Sequence, residues 1–232
     1  MLRHYNRYAL YYAPSHACVL ARRGAQWLGR DAETGETFAP PDAAAGLARP
    51  LDEITASPRR YGLHGTLKPP MRLADGYGPS ALMVEAQALA ASYPPIGLGR
   101  LRVARLGRFL ALVPEAPPRA LSAFAAAVVE ALDGFRARPD AAELDRRRAA
   151  GLTPRQEALL ARWGYPYVME EMRFHVTLTG KLHEGEIGPV TAAAEAHFAD
   201  ALERAQSMTN LAVFGEDDDG VFHLVRRLPL RG

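Results

Sequence analysis

The chain has 232 residues, 48% of them apolar and 23% charged, with a formal net charge of +2. That length suffices for one large domain or two small lobes with a buried core, and the net charge is too small to argue for a general nucleic-acid or membrane surface, so any anion binding must be local. The single cysteine, Cys18, excludes an internal disulfide framework and a cysteine-based zinc site.

The opening "MLRHYNRYALYYAP" carries polar residues throughout and does not read as a signal peptide. Within it "RYALYY" reads as a strand closed by Pro14, with Tyr8 and Tyr11 on opposite faces, so at most one can reach a cleft. From Ala32 to Pro50 the composition predicts an extended loop. "YGLHGTL" then reads as a strand that stops at Pro69 and Pro70, followed by a helix from Ser80, its N-cap, to about Ala91. "LGRLRVARL" and "GRFLALVP" pair as a hairpin that turns near Gly107.

Leu121, Phe124, Ala125, Val128 and Leu132 recur at helical spacing, which predicts a core-facing helix ending at Gly134. "DAAELDRRRAAG" is a second, charged helix. A third has the capping-box pair Thr153 and Gln156, Pro154 at its first position and Gly164 past its end. "MRFHVTLTGKL" is a further strand, a long helix follows Pro189, and a last hairpin turns on Asp217 to Gly220. The most apolar segment, Ala120 to Leu132, is too short to span a bilayer. Together these features predict a cytoplasmic α+β protein with antiparallel sheets and no membrane segment. One bilobal domain over residues 1–232 is expected, with a helical segment at about 138–164.

Two stretches more than a hundred residues apart repeat the order His-x-Thr-Leu: "HGTL" at His64 and "HVTL" at His175. Alternation along a strand puts Gly62, His64, Thr66 and Lys68 on one face, and Arg173, His175, Thr177, Thr179 and Lys181 on another. Each face combines a histidine, a hydroxyl and a cation, all able to donate hydrogen bonds to an anion. Two histidines suit phosphodiester chemistry without a metal or cofactor. One, neutral, takes a proton from water or a ribose hydroxyl; the other, protonated, gives one to the leaving oxygen. Thr66 and Thr177 would bind non-bridging phosphate oxygens, and Lys68 and Arg173 would stabilise the charge that develops at phosphorus. A bell-shaped pH profile with both limbs near neutrality is the expected signature.

The paired motifs, with "RYALYYAP", "RRYGLHGTLKPP", "GRFLALVP", "LTPRQEALLARWGYPYV" and "MRFHVTLTGKL", resemble the 2H phosphoesterase superfamily. Within it they are similar to the DUF1045 branch, whose members are often encoded beside phosphonate-degradation genes. The resemblance runs from the first strand to about Leu182. It implies a LigT-like fold, with two pseudo-symmetric lobes of antiparallel sheet flanked by helices, each giving one motif strand to a central cleft. It also implies metal-independent hydrolysis of a cyclic phosphodiester, either a 2′,3′-cyclic nucleotide or a ribose cyclic phosphate. His64 and His175 would be catalytic and Thr66 and Thr177 would hold the phosphate. The partner is then a small phosphorylated or cyclic-phosphate molecule, with an RNA end as an alternative and no obligate protein partner. RNA end processing or 2′–5′ ligation, and non-catalytic binding of a nucleotide or phosphosugar, are the competing functions.

Residues near the motifs extend the candidate site. Arg60 and Tyr61 precede the first motif at a rim position. Arg136, Arg138, Arg146, Arg147 and Arg148 form a charge run that reads first as a solvated face, yet a doubly charged ester needs cations beyond the motif strands, and Arg147 is a candidate. Trp163, Tyr165 and Tyr167 read first as core packing, with Tyr167 a candidate to cover a sugar or base. His4, His16, His183, His197 and His223 have no motif context, and Asp217 to Asp219 reads as a turn.

Overall fold

Antiparallel pairing organises the chain. The computed structural model describes residues 4–116, 118–149 and 151–232. Its first half contains β1 (Arg7–Tyr12), α1 (Val19–Leu28), α2 (Leu51–Ile54), α3 (Ala56–Arg59), β2 (Gly65–Met71), α4 (Pro79–Ala91), β3 (Ile96–Gly99), β4 (Leu101–Leu106) and β5 (Phe109–Pro114). The second contains α5 (Arg119–Ala131), α6 (Ala141–Arg148), α7 (Pro154–Trp163), β6 (Val176–Thr177), α8 (Glu184–Leu202), β7 (Gln206–Met208), β8 (Asn210–Glu216) and β9 (Phe222–Pro229). The last residues of "DAAELDRRRAAG" include Ala150, which lies outside the described residues, as do Met1 to Arg3 at the start.

Seven strands form one sheet in the order β4-β5-β6-β2-β1-β8-β9, and β3 pairs with β7 separately. Every neighbour pair is antiparallel. The fold is thus α+β, with a large antiparallel sheet flanked by helices. The two lobes expected from the resemblance are two halves of this one sheet, meeting where β2 and β6 pair through Gly65 and Val176. Leu10, Leu67, Leu112 and Val176 face a core shared with Phe124 of α5 and Phe198 of α8. The two phenylalanines are fully buried, and each contributes about 1.5–3 kcal/mol by leaving water. On the opposite face, Ala9, Tyr11, Phe214 and Phe222 form a smaller cluster.

Several sequence signals hold as read. The capping box of α7 is formed by Thr153 and Gln156, and Gly164 ends that helix at φ 69 in the left-handed region. Gly107 turns the β4–β5 hairpin at φ 60. Other expectations shift. The α4 N-cap is Gly78 rather than Ser80. The helix expected after Pro189 starts earlier, at Glu184, because Glu186 accepts from the His183 N–H at 2.7 Å and Pro189 falls inside the helix. α1 carried no strong boundary signal: its cap is Cys18, whose sulfur accepts from the Ala21 N–H.

The two motif strands depart most from regularity. "YGLHGTL" is a strand only from Gly65; Gly62 sits in a turn at φ 72, where a Cβ would come within 2.5 Å of the Ala32 Cβ. β2 also runs through Pro69 and Pro70 to Met71, and β6 pairs with it only at Gly65. Neither β1 nor β6 has a register partner at Pro69 or Pro70, and such a break in the ladder is how a strand tolerates them. β6 itself is two residues long.

Candidate active site

Gly65 opposite Val176 is the pairing that assembles the site. With the strands antiparallel and side chains alternating, His64 and Thr66 flank one member of that pair and His175 and Thr177 flank the other. All four therefore emerge on the same face. The cleft there has two adjoining cavities. One, of about 340 Å³, is lined by His64, Thr66 and Thr177 together with Tyr61, Arg7 and Arg147. The other, of about 360 Å³, is lined by His175, Arg173, Tyr167 and Glu171 with apolar walls from Leu106 and Met172. Thr66, Pro69 and Tyr165 border both.

The histidines are held by the same device. His64 Nδ1 donates to the carbonyl of Gly62 at 2.9 Å, and His175 Nδ1 donates to that of Arg173 at 2.7 Å. A carbonyl can only accept, so Nδ1 carries the proton in each ring, and in the neutral form Nε2 holds the lone pair. Neither ring makes another hydrogen bond among the described residues. Both Nε2 atoms are thereby left for chemistry.

Their surroundings differ. The His64 ring lies 4.1 Å from that of Tyr11 and 5.5 Å from that of Tyr61, centroid to centroid, with Phe214 beyond. This aromatic enclosure strips water from the imidazolium and pushes its pKa from 6.5 down to about 4; the neighbouring His175 acts in the same direction, and the Gly62 carbonyl opposes both. His64 is neutral at neutral pH. His175 is more open, with Phe109 at 5.8 Å.

Lys68 is a correction. It was expected beside His64 and Thr66, but its side chain is buried on the other face, with Nζ donating to the Val129 carbonyl at 3.1 Å and 3.5 Å from Asp133. The cause is a β-bulge. Tyr11 faces Thr66 while Leu10 faces Lys68, so β2 advances two residues where β1 advances one. The extra residue reverses the alternation. Burial pushes the Lys68 pKa down to about 8, with Asp133 opposing. Lys68→Met should lower the melting temperature by removing a partner from the Val129 carbonyl, a cost of about 1–3 kcal/mol. It should leave kcat/KM within about twofold of wild type; parallel thermal melts and initial rates check this.

Arg60 is also redirected. Its Nε and Nη2 donate to the Gly220 carbonyl at 3.1 and 2.9 Å, which ties the approach to the first motif onto the β8–β9 turn rather than to the cleft. Tyr61 does line the cleft, stacked on Phe222 at 4.7 Å. Arg173, Tyr167 and Arg147 also stand at its walls. Of the aromatic run read as core packing, Trp163 and Tyr165 both pack against a small cluster of Val129, Leu159 and Val168, and Tyr165 also borders the two cavities. The turn at Asp217 forms as read, closed by the His223 ring at 2.6 Å.

Of the two tyrosines on opposite faces of β1, Tyr11 is the one that reaches the cleft, and Arg7, which carries no signal of its own in the sequence, shares its face at even spacing. Arg7 lines the cleft and is paired through two donors with Glu216. Tyr11 supplies the plane against which His64 lies. A period-two reading of "RYALY" carries that signal once the cleft face is known. Among the described residues no group of three or more histidine, cysteine or carboxylate side chains could hold a metal ion. None of their helices is long and apolar enough to cross a membrane.

Residues 66–223 match the family described as "Protein of unknown function (DUF1045)". The chain belongs to the DUF1045 family. This DUF1045 chain is 38% identical over 231 residues to a protein of Janthinobacterium sp. (strain Marseille) named "Ribose 1,5-bisphosphate phosphokinase PhnN". It is 38% identical over 221 residues to one of the same name from Laribacter hongkongensis. The matches cover 97% and 95% of this chain but 51% of each relative, so the chain spans about half the length of the curated relatives it matches. Among solved structures, one titled "Crystal structure of phosphoesterase" aligns over 99% of this chain and 100% of its own at 14% identity and a TM-score of 0.45. E. coli LigT complexed with NADP+ aligns over the same shares at 14% identity with a TM-score of 0.43.

Proposed function

We propose that the DUF1045 chain is a metal-independent phosphodiesterase of the 2H type, hydrolysing a cyclic phosphodiester of ribose, free or as a nucleotide. The observation that carries the reading is the Gly65–Val176 pairing, which sets two His-x-Thr motifs side by side with both Nδ1 atoms committed to backbone carbonyls. In the reaction, His64 Nε2 takes a proton from water as its oxygen bonds to phosphorus. The bond from phosphorus to one ribose oxygen breaks, and His175 gives its Nε2 proton to that oxygen. The product is a phosphomonoester, with the free hydroxyl on the ribose. Thr66 and Thr177 donate to the non-bridging oxygens, and Arg173 offsets charge at the His175 end. Burial, which favours the neutral His64 ring, supports His64 as the base.

The relatives' name supports a ribose phosphate as the substrate class and phosphonate breakdown as its setting. The phosphokinase activity in that name is not carried over, because the sequence contains no G-x-x-x-x-G-K-[ST] phosphate loop. The test is a screen of 2′,3′-cyclic nucleotides, ribose cyclic phosphates and linear dinucleotides, with products resolved by phosphorus NMR in the presence of chelator. Turnover of a cyclic substrate that persists with chelator is expected. No turnover of any cyclic phosphate, or loss of it with chelator, defeats the reading.

A further inference from the structure

A third cavity, of about 520 Å³, lies beside the histidine cleft and is lined by Arg7, Arg72, Arg146 and Arg147 with Asp140 and Glu143. It shares a wall with the cleft: Arg7, Pro70 and Arg147 line both. The arginines come from β1, the end of β2 and α6, so three separate elements converge on it. The carboxylates brace these side chains without using up their donors. Arg147 donates Nη2 to Glu143 at 3.1 Å, yet its Nε is buried with no hydrogen-bond partner among the described residues. A buried donor left unpaired is costly, which points to a partner absent from the protein itself.

Its neighbours are similarly under-used. Arg72 forms long ion pairs, at 3.7 and 3.8 Å, with Asp140 and Glu143, and among the described residues its side chain donates only to the Arg138 carbonyl, at 3.4 Å. Arg146 makes no ion pair or hydrogen bond among the described residues. The Arg147 guanidinium rests over the Tyr165 ring, 4.8 Å from its centroid, and Tyr165 lines the cleft, so this arginine is fixed at the boundary between the two spaces. Four guanidiniums thus face two carboxylates, and even with Glu216 counted against Arg7 the balance stays positive. Planar forks with spare donors and excess positive charge match a phosphate dianion better than they match a sugar hydroxyl or a base.

We propose that this arginine cavity is a second phosphate subsite, so that the substrate carries a phosphomonoester as well as the cyclic diester attacked between the histidines. The proposal rests on the phosphodiesterase reading of the cleft and narrows its substrate class to a sugar cyclic phosphate with a second phosphorylated position. The monoester stays intact: it anchors one end of the molecule while the ring at the other end opens.

The test compares adenosine 2′,3′-cyclic phosphate with its 5′-phosphorylated form. In the wild type, kcat/KM should favour the phosphorylated substrate by at least about tenfold, the effect of one charge-assisted hydrogen bond. Arg146→Ala should bring the ratio of the two kcat/KM values towards one, and Arg146→Lys should restore part of it. The same pair is titrated calorimetrically into His175→Ala protein, which reads the subsite without turnover. Tighter binding of the phosphorylated form supports the subsite even if neither compound is hydrolysed, in which case the phosphodiesterase reading alone fails. Hydrolysis of both with equal kcat/KM, or equal affinities in the calorimeter, overturns the subsite and leaves the phosphodiesterase standing.

Discussion

Replacing either His64 or His175 with alanine is expected to lower kcat for cyclic phosphodiester hydrolysis by about 10²–10⁴-fold, the usual contribution of a positioned proton-transfer group. The loss should come without loss of fold, since both rings project into the cleft and neither belongs to the apolar core. Circular dichroism and a thermal melt beside the kinetics separate the two effects. The wild-type pH profile adds a finer test. Both limbs were expected near neutrality, but the enclosure of His64 lowers its pKa to about 4. A base must be unprotonated, so kcat/KM of the free enzyme should stay level as the pH falls past 6.5 and drop only as it passes through about 4. An acid limb near 6.5 would mean that His64 is not the base. The same shift acts on stability. Between pH 6.5 and about 4 the unfolded chain binds the proton before the folded one does, so this group makes the fold less stable as pH falls through that window.

Gly65→Val is expected to damage structure and activity together. A Cβ at Gly65 would lie 2.5 Å from Cε2 and Cζ of Phe174, a buried ring packed edge-on against Tyr12. The ring is buried, so accommodating the new side chain requires it or the strand to shift, and overpacking should cost about 1–3 kcal/mol. The displaced backbone is the one that carries His64 and Thr66, and a shift of about 1 Å can cost about 10²-fold in rate. A variant with wild-type melting temperature and kcat would show that the seam between β2 and β6 tolerates movement. The two motifs look interchangeable in sequence, yet their spacers are not. Gly65 faces Val176 across the seam, and only the second spacer has room for a side chain.

That difference marks how far the sequence could be read. The duplicated motif exposed both histidines and both threonines, because their chemistry is written in residue type and spacing. The helix boundaries around Thr153 and Gly164 were legible for the same reason: caps are local. Lys68 was misplaced because a bulge depends on the partner strand, and nothing between His64 and Pro70 shows that β1 will advance by one residue while β2 advances by two. Arg60 was misplaced because its acceptor is a carbonyl 160 residues away. Arg7 was overlooked, and the choice between Tyr8 and Tyr11 stayed open, because a strand's two faces are equivalent until the sheet order decides which one borders the cleft. In each case the missing information was long-range pairing.

The same dependence sets when the site can exist during folding. β1 closes on β8, from the far end of the chain, and the motif strands meet through one pair, Gly65 with Val176. Contacts this distant in sequence require large loops to close before they return any stabilisation, and they slow the search for the native topology. On the proposed reading, a fragment with one motif lacks one of the two proton handlers, and a nascent chain can form the paired site only after its second motif is available. If the proposed hydrolysis is observed, its return on dilution from denaturant should track completion of the whole sheet, whereas a helix-sensitive signal can recover earlier.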